Sequence, residues 1–171
     1  GYLIEFCVKP AVVALGVPLY LQLEAIKKQL VPILLSQLAG CIIGVVSVVV
    51  IAKLMGAPQE IIYSLAPKSV TTPIAMEVAD TLGGIPALTA AVVVCVGLLG
   101  SIIGIKTLKL TRIKSPIAQG LSLGAAAHAV GTSTAMDISS KYGAYASLGL
   151  TLNGIFTALL TPTILRLLGL L

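Results

Sequence analysis

The chain has 171 residues, 57% of them hydrophobic and only 10% charged, with a mean hydropathy of +1.08 and a formal net charge of +5. A soluble domain carries about a quarter charged residues, so this balance excludes one and points to a protein dissolved in lipid. The basic excess does not indicate nucleic acid, because the lysines cluster in short loops beside apolar runs with no aromatic side chains interleaved.

In chain order, Phe6 to Leu23 is apolar but short, and Lys9-Pro10 and Val17-Pro18 interrupt it. Each proline removes a backbone donor and disfavours helix just before it, so the segment reads as a partial span. Glu24 to Gln29 is a polar link carrying Lys27 and Lys28. Leu30 to Ala52 then runs without a charge, long enough to cross a hydrocarbon core of about 30 Å at about 1.5 Å per helical residue. Ile85 to Ile105 and Ala144 to Leu165 are likewise uncharged and long enough. Gly40-x-x-x-Gly44 and Gly100-x-x-x-Gly104 have the spacing that lets another helix approach closely. Cys7, Cys41 and Cys95 stand alone in apolar surroundings and read as packing residues, not as a disulfide or metal set. No cofactor is called for. The chain opens on Gly1 without a methionine, as a fragment or processed product would.

Between the first two spans, Gly56-Ala57-Pro58-Gln59-Glu60 reads as a turn leading into a polar, proline-bounded stretch, Pro67 to Glu77. That stretch has an echo sixty positions on. Ala66 to Leu88 lies over Ala126 to Leu148, matching Val70 with Val130, Thr72 with Thr132, Ala75-Met76 with Ala135-Met136 and Gly83 with Gly143. Glu77 then falls on Asp137, and Lys68 on His128. Duplicated halves of this kind occur in transporter folds. Counting from Thr72, a half-bilayer of about 15 Å is used up in roughly ten helical residues either way, which reaches Ile62 and Leu82. Each stretch therefore fits a hairpin that reaches the midplane and returns, the second running from about Gly120 through Thr132 to Tyr142.

A broken helix that crosses is the rival geometry, and charge separates the two. With two hairpins, Lys27, Lys28, Lys106, Lys109, Arg112, Lys114 and Lys141 share one face, leaving Lys53 and Arg166 on the other. If the first stretch crosses instead, that bias disappears. The expected fold is thus all-α, a single polytopic membrane domain over residues 1–171. It is built as an inverted repeat of a transmembrane helix plus a broken helix or re-entrant hairpin, with units of about 30–105 and 106–171.

Thr72 before Pro73 and Thr132 before Ser133 are candidate N-caps of the second half-helices. A half-helix starting at the midplane presents unpaired N–H groups and about half a positive charge, so two facing starts would hold an anion. The hydroxyls of Ser69, Thr71, Thr72, Thr132, Ser133 and Thr134 either serve that ligand or bond the local backbone. Lys68 either meets the anion or pairs with Glu77 or Asp137 and fixes the hairpin. His128 is a proton or ligand group, or a hydrogen-bonded packing residue. Glu77 and Asp137, about 7 Å past the caps, are placed for a coupling ion or for a salt bridge. Asn153 faces the site or, more in keeping with its span, bridges two helices. Gly120-Leu121-Ser122-Leu123-Gly124 matches the serine-hydrolase elbow, but shows no sign of the strand-to-helix turn an elbow needs. No enzyme activity is expected.

The blocks Ala66-Pro67-Lys68-Ser69-Val70-Thr71-Thr72-Pro73-Ile74-Ala75-Met76-Glu77, Gly83 to Ala90, Gly120-Leu121 through Thr132, and Val13 to Tyr20 resemble the signature blocks of the LrgB/CidB membrane proteins. The resemblance covers nearly the whole chain, which looks like the larger C-terminal part of such a protein. It implies a bacterial inner-membrane, multi-pass protein with one of two functions. One is transport of a small carboxylate anion of the pyruvate, glycolate or glycerate type. The other is antiholin-like control of murein hydrolase activity and autolysis with an LrgA/CidA-type small membrane partner. A homo-oligomer is compatible with the sequence, which does not specify one.

Overall fold

The computed structural model describes residue 20 and residues 23–171. The interrupted segment expected from Phe6, with Lys9-Pro10 and Val17-Pro18, lies outside the described residues. Those described are helical: α1 (Leu23–Lys28), α2 (Leu30–Leu54), α3 (Gln59–Leu65), α4 (Thr72–Leu82), α5 (Pro86–Leu110), α6 (Pro116–Ile138) and α7 (Ser140–Leu167). The three expected spans correspond to α2, α5 and α7, each long and apolar enough to cross a membrane. Helix α5 buries only Thr89, Val93 and Gly97 and exposes Val94, Leu98, Leu99, Ile102 and Ile103. A face that apolar is stable against lipid and not against water.

Between these helices the chain turns back twice. Ser64 near the end of α3 receives the chain that leaves α4: its Oγ accepts from the Ile85 N–H at 2.7 Å, and its carbonyl accepts from Thr89 Oγ1 at 2.9 Å. In α6, Leu123 and Ala135 pack in one cluster with Ala146 of α7. Twelve residues of straight helix would hold Leu123 and Ala135 about 18 Å apart, so α6 is folded on itself. The fold is made at His128, whose φ of 43° and ψ of −130° are not helical. Both polar stretches are therefore hairpins, as the charge distribution favoured.

The hairpins come from opposite ends. Ile62, Tyr63, Ala66, Val78 and Leu82 of the first pack with Val45, Val49 and Ala52 of α2 and with Ile164 and Leu165 of α7. Leu121 of the second packs with Ile26, Ile33, Tyr145 and Leu148, near the starts of α2 and α7. Exposed Lys27, Lys28, Lys106, Lys109, Arg112, Lys114 and Lys141 consequently share the second hairpin's end, and Lys53 and Arg166 stand at the other.

Helix α7 is the central post: it is buried continuously from Gly143 to Leu150 and along one face as far as Leu165, while Ile155 and Leu159 on the opposite face are exposed. Its closest neighbour is the first arm of α6, because glycines line the seam. A Cβ on Gly124 would collide with the Ala146 carbonyl, and one on Gly149 would lie 2.5 Å from the Leu121 carbonyl. The elbow-like Gly120 to Gly124 thus lies inside a helix as a packing stripe. Gly100 and Gly104 also mediate the expected helix contact, meeting Ala127 and Leu123. Gly40 and Gly44 do not: nothing lies within 4 Å of a Cβ at either, because they face a cavity.

Candidate functional site

The first hairpin turns over residues 66–71. Pro73 sets where its second arm begins, since a helix continued backwards would drive the proline ring into the carbonyl four residues earlier. The N-cap is accordingly Thr71, extended at ψ 145° and without a side-chain cap bond, and Thr72 is the first helical residue. At the echoed position of Pro73 stands Ser133, which imposes no such stop. The second arm runs back to His128, so Thr132 lies inside a helix and is not a cap. Its hydroxyl donates to the His128 carbonyl at 2.8 Å, and that of Thr134 to Val130 at 3.0 Å. The expected pair of N-caps at Thr72 and Thr132 is corrected on both counts.

The turning points meet. Asn153, near the middle of α7, donates its side-chain amide to the Ser69 carbonyl at 3.0 Å and to the Ala125 carbonyl at 2.9 Å. On the other side of the tips, Val70 and Ala75 pack on Val93 of α5, and His128 Nε2 lies 2.9 Å from the Val93 carbonyl. One turn on, Gly97 leaves room for the imidazole, since an added Cβ would lie 2.5 Å from His128 Cε1. The second hairpin thus turns at His128 and not at Thr132, and the His128 ring is bonded to protein.

Beside Asn153 is a cavity of about 360 Å³. Helix α2 supplies Gln37, Gly40, Cys41 and Gly44, the first tip Ala66, Lys68 and Ser69, the second hairpin Ser122, Ala125 and Ala126, and α7 Asn153 and Thr157. The Lys68 ammonium donates to Ser69 Oγ at 3.3 Å and to the Gly44 carbonyl at 3.5 Å. These are long bonds that leave donor capacity. Among the described residues no carboxylate pairs with it, the only ion pair there being Lys27 with Glu24 at 3.4 Å. Glu77 and Asp137 are exposed, so the expected alternative in which one of them neutralises Lys68 is not formed.

Of the residues expected at an anion site, Lys68 and Ser69 line this cavity, whereas Thr71, Thr72, Glu77, His128, Thr132, Ser133, Thr134 and Asp137 do not. The lining comes from the first arm's end and the tip of one hairpin and the first arm of the other, not from the starts of the second arms. Gln37, Ser122 and Thr157 are lining residues that sequence reasoning missed. Gln37 had a signal: it is the one amide side chain between Leu30 and Ala52. Among the described residues no cluster of metal-ligating side chains occurs.

A model of the LrgB-like family matches residues 1–167. The chain belongs to the LrgB-like family. Relatives of this LrgB-like chain include "Uncharacterized protein YwbG" of Bacillus subtilis (strain 168), 41% identical over 165 residues, 96% of this chain and 73% of that protein. "Antiholin-like protein LrgB" of Bacillus mycoides (strain KBAB4) is 35% identical over 169 residues, 99% of this chain and 74% of that one. A Haemophilus influenzae (strain ATCC 51907 / DSM 11121 / KW20 / Rd) protein is 42% identical over 157 residues, 92% and 68% of the two chains. No solved structure matches the LrgB-like chain.

Proposed function

We propose that the protein is a multi-pass transporter of the bacterial inner membrane that binds a small monocarboxylate of the pyruvate, glycolate or glycerate type between its hairpin tips. The observation that carries this reading is Lys68: an ammonium on a hairpin tip, lining a cavity, with no carboxylate among the described residues to neutralise it. An ionised side chain deep in a bilayer costs at least about 2.5 kcal/mol on insertion scales, and an arriving anion offsets that cost where water is scarce. Ser69 Oγ beside the ammonium supplies a second polar contact, and Asn153 holds the tips around the ligand. The repeat units, about 30–105 and 106–171, would move against one another to expose the site alternately. Basic residues crowd the second hairpin's end, which the positive-inside rule assigns to the cytoplasm. These residues bind and release a solute, and no bond-breaking step is assigned to them.

The test is uptake of labelled pyruvate or glycolate into vesicles holding the full-length protein with its LrgA/CidA-type partner. Lys68→Ala is expected to lower uptake by about tenfold or more, the loss of a charged contact. Undiminished uptake in that variant overturns the reading. The names of the antiholin-like relatives favour a second one, regulation of murein hydrolase activity and autolysis through that partner. Absence of uptake in the wild type, with an autolysis phenotype that survives Lys68→Ala, would select it.

A further inference from the structure

Helix α5 leaves the interior partway along its length. Its last buried residue is Gly97, and from Leu98 to Leu110 one side meets the second hairpin while the other is exposed. Leu99, Ile102, Ile103, Lys106 and Leu110 share that exposed face by the three- and four-residue spacing of a helix. A lysine therefore stands within a lipid-facing stripe, about one turn before the helix ends. Its stem suits apolar surroundings, and its ammonium reaches out to the headgroup layer.

Lys109, Arg112 and Lys114 follow, all exposed. The turn that carries them is fixed at both ends. The Ile113 N–H donates to the Leu108 carbonyl at 3.0 Å and the Arg112 N–H to the Lys109 carbonyl at 3.0 Å, closing α5 in the pattern that normally has glycine at the Arg112 position. The Gln119 amide then donates to the Ile113 carbonyl, and Ser115 caps α6. Arg112 holds a φ of 60°, which a side chain disfavours. Glycine there would relieve the backbone and forfeit the charge.

Among the described residues no carboxylate pairs with any of these four cations, and Glu24 at the same end is taken by Lys27. Sidedness alone does not account for them. The positive-inside rule counts basic residues, and it asks neither for a left-handed arginine nor for a lysine within a lipid-facing stripe.

We propose that residues 106–114 bind the headgroup of an anionic phospholipid, its phosphate among Lys106, Lys109 and Arg112 and its acyl chains along Leu99, Ile102 and Ile103. A soluble anion would meet the cations and gain nothing from the stripe. A zwitterionic lipid would cover the stripe and bring a cation of its own against the cluster. An anionic lipid satisfies both parts of the surface. This site is separate from the Lys68 cavity and does not depend on what that cavity carries.

The experiment titrates the purified full-length protein in detergent with phosphatidylglycerol, phosphatidylcholine or glycerol 3-phosphate and follows the rise in thermal midpoint. Phosphatidylglycerol should raise it at concentrations where the other two leave it unchanged. Each cation at an anionic lipid surface is worth about fivefold in affinity, so the triple variant Lys106→Gln, Lys109→Gln, Arg112→Gln should need about a hundredfold more phosphatidylglycerol for half the effect. The triple variant Lys27→Gln, Lys28→Gln, Lys141→Gln removes the same charge from the same end and should stay within about threefold of the wild type. Arg112→Gly decides the matter if the first triple variant does not fold. It relieves the positive φ, so it should be at least as stable without lipid and yet need about fivefold more phosphatidylglycerol. Equal weakening in the two triple variants would mean diffuse attraction to the basic end and overturns the proposal. So does an Arg112→Gly variant that responds to lipid like the wild type, or a wild-type midpoint raised as much by phosphatidylcholine or glycerol 3-phosphate.

Discussion

The amide nitrogen of Asn153 lies 3.0 Å from the carbonyl oxygen of Ser69, 84 residues away, and the same nitrogen lies 2.9 Å from the carbonyl of Ala125. One side chain on the central helix thereby satisfies a backbone acceptor at each hairpin tip. Deep in a bilayer no water competes for those carbonyls, so their partners must come from protein.

Asn153→Ala removes both bonds and leaves two interior carbonyls without donors, at a cost of about 2 kcal/mol. Asn153→Asp removes the same donors while keeping the shape, and is expected to be as harmful. Unfolding of purified protein in detergent, followed by loss of helical signal, should show a lower midpoint for both. A wild-type midpoint for either would show that the tips are held by other means.

The turn at His128 predicts an inversion of the usual order of substitutions. Its φ of 43° is unfavourable for any residue with a side chain. His128→Ala loses the bond to the Val93 carbonyl and keeps the strain, whereas His128→Gly loses the bond and relieves it. The glycine variant should be the more stable by about 1 kcal/mol, measured as the difference in unfolding free energy.

The two glycine pairs should behave oppositely. Gly124→Ala would push a methyl into the Ala146 carbonyl and should destabilise the seam by about 1–3 kcal/mol. Gly40→Ala meets nothing and gains helix propensity, so it should be neutral or stabilising by up to about 1 kcal/mol. Thermal midpoints of the purified variants check both signs.

The backward turn of each hairpin fixes the sidedness of the loops. With the native cysteines replaced, single cysteines at Lys109 and Lys141 should react with an impermeant thiol reagent from one face of the membrane, and a cysteine at Lys53 only from the other. Labelling of Lys53 and Lys109 positions from the same face would require the first polar stretch to cross, and would reject the fold.

Much of this architecture was legible in the residues alone, because crossing a bilayer is a one-dimensional constraint. Leu30 to Ala52, Ile85 to Ile105 and Ala144 to Leu165 had to be spans: uncharged length admits few other outcomes. The hairpins followed from charge, since only a returning chain puts Lys106 to Lys114 on the side of Lys27 and Lys28. Where the second arm begins was not legible in the echo, because a lone substitution, Ser133 where Pro73 stands, lets a helix extend back to His128. Nor was the cavity's membership. Gln37, Ser122 and Asn153 are separated by long stretches of sequence, and only the crossing of α2, α6 and α7 brings them to one space. Periodicity states how far a helix reaches and which side chains share its face. Which faces confront one another is decided by where small residues permit close approach, as at Gly124 and Gly149, and where, as at Gly40 and Gly44, they are left facing a void.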